Sequence, residues 1–279
     1  SQTSGKVRGT VSSADGQPLV GANVIIEGTA KGAATDGDGG YTILNVDAGT
    51  YTDDDISLRT SGGTEHDGIS IIGAGRDLTI FDNDKTSGEQ FMTIWGSVTN
   101  VTISDLTIQE YSENSSGAGL DITTTGSVTI QDVNFHDNTN TSSYDDGAAF
   151  YMNDATVTLD RCKFTSNSSY SSNSAEGSCI YVGGVTLTAQ NCLFYDNICG
   201  SSSNNGHVYV DDGTTSLVNC TFTENNNGNP VLYYDGASGK HFQQNNLFFN
   251  NSSNGLSAGI TVTSQPRSLR ILNIFFLIP

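Results

Sequence analysis

The residues of this chain that could do chemistry are two acidic pairs, Asp145-Asp146 and Asp211-Asp212, and the near neighbours Arg161 and Lys163. Glycosidic hydrolysis needs two carboxyl groups facing each other across a cleft. Both Asp pairs instead abut Gly, where Asp commonly serves a turn. Arg161 and Lys163 lie two apart and so share one face of a strand. His66, His136, His207 and His241 show no metal-ligand spacing. Asp36 and Asp38, in an Asp-Gly-Asp-Gly turn, are weak candidates for calcium.

The elements that would position these groups follow from a recurrence. Phe135, Phe164, Phe194, Phe222 and Phe248 close similar phrases, and Ile108 closes an earlier copy, at intervals of 26 to 30 residues. Such self-similarity marks stacked repeats. Counting back from the closing residue, positions minus seven, minus five and minus two are mostly apolar, as in Val128, Ile130, Val133 and Phe135. Spacing of two marks one face of a strand, and the step of three implies a bend between two strands. A third strand opens each repeat with inward pairs such as Leu120/Ile122 and Ile180/Val182. Three short strands per coil, stacked at ~4.8 Å, describe an all-β fold, a parallel β-helix. The last copy places His241, Gln243 and Asn246 inward, so the coil is expected to end there.

These repeats resemble the right-handed parallel β-helix of the pectate-lyase-like superfamily. Ala48-Gly-Thr-Tyr, Ile69-Ser-Ile-Ile-Gly-Ala-Gly and Leu78-Thr-Ile-Phe are similar to the entry into such coils. That superfamily contains lyases, hydrolases, adhesins and passive stalks, so the resemblance implies a fold more than a function. Its polysaccharide lyases need calcium-binding acidic residues and an Arg or Lys base, which would fall to Arg161 and Lys163. Asp132 should lie one rung from Arg161, and a cross-rung ion pair is the simpler reading. The signature strings of related polygalacturonases are absent.

Residues 5 to 51 read differently. Asp15-Gly-Gln-Pro-Leu, Gly21-Ala-Asn-Val-Ile-Ile-Glu-Gly-Thr and Thr35-Asp-Gly-Asp-Gly-Gly-Tyr follow in the order of a carboxypeptidase-regulatory-like β-sandwich. That resemblance implies a non-catalytic module of secreted or outer-membrane proteins, often bacterial. The expected division is 1–52 for this small N-terminal β-sandwich module, 53–262 for the β-helix and 263–279 for an apolar tail. The sandwich is either incomplete or shares its last strand with the first rung. The tail contains Ile271, Leu272, Ile274, Phe275, Phe276 and Leu277 and is too short to span a bilayer. It either caps the coil or adds a strand to a neighbouring subunit, which would build a filament.

Stacking turns the sequence into vertical files. Tyr151, Tyr181, Tyr209 and Tyr233 form an outward file, read as an interface or a sugar-stacking surface. Asn138, Asn167, Asn197, Asn225 and Asn251 recur three residues after the closing position and are read as a structural amide ladder at a turn. Thr156/Thr158, Thr186/Thr188 and Thr214/Ser216 form a flat Thr-x-Thr array, a feature of ice-binding solenoids. Cys162, Cys192 and Cys220 share one inward position, read as buried small apolar groups. Their rungs are close enough for a bridge, but strands rarely supply the torsion. Cys179 and Cys199 fall outside that file and are the candidates for a disulfide. Among the sequons, Asn114 and Asn140 are the better glycan acceptors.

The net charge of −19, from 11 Lys plus Arg against 30 Asp plus Glu, argues against nucleic acid and anionic lipid as partners. No apolar run is long enough for a membrane span. Abundant Asn, Ser, Thr and Gly suit a secreted, extracellular or cell-surface solenoid. The reading is a structural or adhesive protein, self-associating or binding a glycan or surface polymer, with no cofactor beyond calcium. The alternatives are a calcium-assisted polysaccharide lyase and an ice-binding solenoid.

Overall fold

The structure, a computed structural model, describes residues 5–29, 31–52, 54–59, 67–142, 146–169, 177, 179–200, 206–226, 229–235, 239–251, 256–258 and 275–277. The chain winds into a right-handed β-helix of short strands joined in register from rung to rung. The closing strands form a nine-stranded parallel sheet whose inward file runs Tyr51, Phe81, Ile108, Phe135, Phe164, Phe194, Phe222 and Phe248. Phe81 and Tyr51 are therefore two earlier copies of the repeat, beyond the copy that Ile108 closes. The first and second strands of the coils merge into one fifteen-stranded sheet, because Ile180–Gln190 and Val208–Val218 each run through the corner between them.

Left-handed residues make the bends. At minus three from each closing residue stand Asp105, Asp132, Arg161, Asn191, Asn219 and Asn245, all with φ between 53° and 59°. Two residues after it stand Glu110, Asp137, Ser166, Asp196, Glu224 and Asn250, with φ between 53° and 59°. Asn and Asp tolerate this region because their short polar side chains bond locally. The first file therefore explains the step of three inferred from the sequence.

One continuous apolar core fills the coil. The rings of Phe135, Phe164, Phe194, Phe222 and Phe248 stack at centroid distances of 5.0, 4.9, 4.5 and 4.8 Å. Stacking of this kind is worth about 0.5–1.5 kcal/mol per pair beyond area burial.

The N-terminal strands do not stand apart from the coil. Gly5–Thr10 lies antiparallel to Gly40–Asn45, which in turn runs parallel to Ile69–Ile72 of the next rung. Gly49–Tyr51 pairs with Thr79–Asp82. Both sheets thus begin before residue 52, and the N-terminal segment shares the strand Gly40–Asn45 with the first rung. The hairpin Asn23–Ile25/Gly32–Ala34 covers the outer face of these first rungs through a small second core of Ala33, Ile43 and Ile72, with Ile26 and Tyr41 packed against it. The sandwich layer is completed by the sheet of the solenoid.

At the other end, Phe275–Leu277 pairs in parallel with Leu247–Phe249. This part of the tail adds a strand to the closing sheet of its own chain. Ile271, Leu272 and Ile274 lie outside the described residues.

Candidate functional site

The outward face of the first strands carries the densest set of polar and aromatic groups. Register places Thr93, Asp121, Tyr151, Tyr181, Tyr209 and Tyr233 in one file. Arg59, Trp95, Thr123, Asn153, Gly183, Asp211 and Asp235 form the file beside it. The tyrosine rings stack at 5.0, 5.7 and 5.2 Å, tilted by 7° to 12°. Tyr181 donates its hydroxyl to Asp211 Oδ2 at 3.2 Å, and Tyr209 donates to Asp235 Oδ2 at 2.8 Å. Burial first, then the Asp211 and Asp146 charges, push the Tyr181 phenol well above its ordinary range.

This ladder is not the exposed surface that alternation alone suggests. Tyr181 is 8% exposed and Tyr209 2%, while Tyr151 and Tyr233 are half-buried. Gly117, Gly147 and Gly177 sit three residues before the inward residue of each first strand, with φ of 68°, 68° and 72°. A Cβ at Gly117 would stand 3.0 Å from the Tyr151 Cβ, so the incoming backbone crosses directly over the file. The large side chain left open on this face is Trp95, 52% exposed. It had no place in the sequence reading, because its rung precedes the run of tyrosines.

Asp121 continues the tyrosine file and is the most perturbed carboxyl here. Burial raises its pKa to about 6, against the hydrogen bond from the Thr123 hydroxyl at 2.9 Å. A carboxyl titrating there suits general acid or base work near neutrality. Its alternating polar neighbours gave no sequence signal for that shift.

Arg161 lies at the bend below the second sheet. Its Nε donates to both Asp132 oxygens at 3.1 and 3.2 Å, its Nη2 to Asp132 Oδ2 at 2.7 Å, and its Nη1 pairs with Asp160. Arg76 donates to the Arg161 carbonyl at 2.6 Å and stands 3.7 Å from Asp132. Burial works against the Asp132 charge, yet Arg161 outweighs it and holds the carboxyl below its usual range. Lys163 is exposed on the neighbouring closing strand.

Asn138, Asn167, Asn197 and Asn225 are fully buried. Each side-chain Nδ2 donates to the carbonyl of a closing residue one rung back and to the next amide oxygen in the file. Asn251 ends the file, donating to Phe222 O at 3.0 Å. Thr102, Thr129, Thr158, Thr188 and Ser216 are in register, with exposed Thr156, Thr186 and Thr214 in the next file.

Several sequence readings change in the structure. Cys179 and Cys199, the candidates for a disulfide, are both fully buried. Asn140 is not in an open loop. It belongs to the strand Thr139–Asn140, fully buried, with its Oδ1 accepting from Ser142 N at 2.8 Å, whereas Asn114 is exposed. The Asp36 carboxylate closes its own turn, accepting from the amides of Asp38 at 2.9 Å and Gly40 at 2.6 Å. Among the described residues no group of three or more His, Cys, Asp and Glu could hold a metal ion. Asp145 and His66 lie outside the described residues.

Residues 63–273 match the family described as right handed beta helix region. The chain belongs to that family. Residues 6–53 of this β-helix protein match the carboxypeptidase regulatory-like domain. No curated protein matches it in sequence.

Among solved structures, a pectin methylesterase in complex with hexasaccharide VII is similar at 9% identity and a TM-score of 0.39, over 78% of this chain and 82% of that one. The A-module of mannuronan C-5 epimerase AlgE4 from Azotobacter vinelandii is similar at 15% identity and a TM-score of 0.29, over 75% and 69%. ORF18 of Geobacillus virus E2 is similar at 15% identity and a TM-score of 0.42, over 75% of this chain and 45% of the viral one.

Proposed function

We propose that this protein is a secreted or cell-surface structural β-solenoid, a stiff rod used for adhesion, without catalytic activity. The observation that carries this reading is the fate of Arg161. The guanidinium needed as a lyase base is held by Asp132 and Asp160 and braced by Arg76. The amide, phenol and aromatic files likewise spend their polar groups on rung-to-rung bonds, which gives the coil length and rigidity. Trp95, exposed on the first-strand face, is the contact surface for a glycan or cell-surface polymer. The test is an assay for uronate release from acidic polysaccharides, with and without calcium, beside negative-stain imaging of the purified protein. Single or end-joined rods without release support the reading; release that disappears in Arg161→Ala overturns it.

Asp121 favours a second reading, a carbohydrate-active protein using that carboxyl as acid or base beside the exposed Trp95. Release of reducing sugar that is lost in Asp121→Asn and kept in Arg161→Ala would establish it. No release from any acidic or neutral polysaccharide would dismiss it.

A further inference from the structure

Cys162, Cys192 and Cys220 occupy the same position in three successive rungs, two residues before Phe164, Phe194 and Phe222. None of the three lies within a strand; each follows a left-handed residue, Arg161, Asn191 or Asn219, at the bend. The objection that strand geometry rarely supplies a disulfide torsion does not apply at such a bend. The main chains are tied on either side, with Leu193 N donating to Cys162 O at 3.0 Å and Thr221 N to Cys192 O at 2.9 Å.

The side chains point alike. Each thiol donates to the carbonyl two residues before it: Cys162 to Asp160 O at 3.6 Å, Cys192 to Gln190 O at 3.3 Å and Cys220 to Val218 O at 3.5 Å. One shared orientation in three stacked rungs puts the sulfurs in a line, with Cys192 between the other two. The rungs repeat at ~4.8 Å, inside the Cα separation of about 4.4–6.8 Å that disulfides span.

We propose that Cys192 is a disulfide partner: when the coil winds in the presence of a small-molecule disulfide, its sulfur becomes bonded to that of Cys162 or Cys220. The two thiols lose two protons and two electrons, and the oxidant takes them up as it is cleaved into two free thiols. The reaction passes through a mixed disulfide on one cysteine, which the second cysteine resolves. It belongs to the winding stage, because the closed coil buries all three cysteines to 2% exposure or less. Cys192 can hold one bridge only, so the third thiol of the file stays reduced. The product is a covalent staple between adjacent rungs.

The test uses the full chain, unfolded with reductant and refolded in a buffer of reduced and oxidised glutathione. Remaining thiols are alkylated under denaturing conditions and counted by intact mass, and non-reduced peptides are mapped. The proposal expects most chains to show three alkylated thiols instead of the five that the sequence contains. Their cross-linked peptide would join Cys192 to Cys162 or to Cys220. Cys192→Ala, refolded alike, should keep all its remaining thiols. Five free thiols in the refolded wild type would overturn the proposal, and so would a bridge that leaves Cys192 out, including one between Cys179 and Cys199. Should Cys192→Ala fail to fold, the wild-type peptide map decides alone.

Discussion

Asn167 meets Asn197 twice across one rung: its backbone N donates to Asn197 Oδ1 at 3.0 Å, and its side-chain Nδ2 donates to the same oxygen at 3.1 Å. Asn197 repeats both bonds to Asn225 and sends its own Nδ2 to Phe164 O at 2.9 Å. A single amide therefore satisfies a buried amide above it and a buried carbonyl behind it.

Truncation at the middle of this file should be costly. Asn197→Ala strands the Asn167 N–H and the Phe164 carbonyl in a site that water does not reach. At about 1–3 kcal/mol for each unsatisfied group, the loss should be roughly 2–6 kcal/mol. Urea unfolding of the variant beside Asn114→Ala checks this, because Asn114 is exposed and should change stability by less than about 0.5 kcal/mol. Equal midpoints for the two variants would contradict a structural role for the file.

The phenyl file makes a second prediction. Phe194 is fully buried between Phe164 at 4.9 Å and Phe222 at 4.5 Å. Phe194→Ala opens a cavity that neighbouring rungs cannot close, because their main chains are pinned on both sides. The cost should be about 3–5 kcal/mol, with Phe194→Leu losing less than half of it. Phe249→Ala, one residue beyond the file and 39% exposed, is the control. Thermal melts that rank Leu below Ala at position 194 would sink the packing argument.

What the sequence made legible was whatever repeats in type. Val128, Val157 and Leu187 share a register because each inward position sits two residues from the next, and the parallel pairing carries that pattern from rung to rung. The bend was visible as a spacing, but its cause lay in backbone angles at Asp132 and Arg161, which have no common side-chain signature. The burial of Tyr181 and Tyr209 could not be read from alternation, which places both rings on the outward face. The junction at the N-terminal end was legible only as two alternatives for a similar reason. Gly40–Asn45 carries the pattern of the small module and also pairs with Ile69–Ile72, so one strand obeys two sequence signatures at once.

Arg161 offers a test in which two effects oppose each other. Its exposed ion pairs with Asp132 and Asp160 are worth about 0–1 kcal/mol. Its backbone, at φ 54°, costs about 1–2 kcal/mol for an ordinary side chain, and less for Asn. Asn already fills the same bend at 191, 219 and 245. Arg161→Asn should therefore leave stability unchanged or raise it by about 1 kcal/mol, whereas Arg161→Val should lower it by more than 1 kcal/mol. Chemical denaturation of both variants measures the pair. A loss of several kcal/mol in Arg161→Asn would mean that the ion cluster, and not the turn, governs this corner.

The pH dependence of stability should carry the mark of Asp121. Its carboxyl titrates at about 6 in the folded protein and at about 3.8 when unfolded, because burial penalises the charge. Between those values the folded state holds a proton that the unfolded state has released, so stability falls as pH rises through the window. Below about 3.8 both states are protonated and the effect vanishes. Above 6 the penalty is complete, on the order of 3 kcal/mol at about 1.4 kcal/mol per pH unit. His207 acts in the opposite sense: burial keeps it neutral, and the unfolded chain takes up its proton first as pH drops below 6.5. Asp121→Asn keeps the bond from Thr123 and removes only the charge. The variant should be roughly 3 kcal/mol more stable than the wild type at pH 7 and equal to it below pH ~4, as read by urea unfolding across pH 3.5 to 8. A wild-type curve that runs parallel to that of Asp121→Asn over the whole range would show that Asp121 is solvated, and the raised pKa would have no basis.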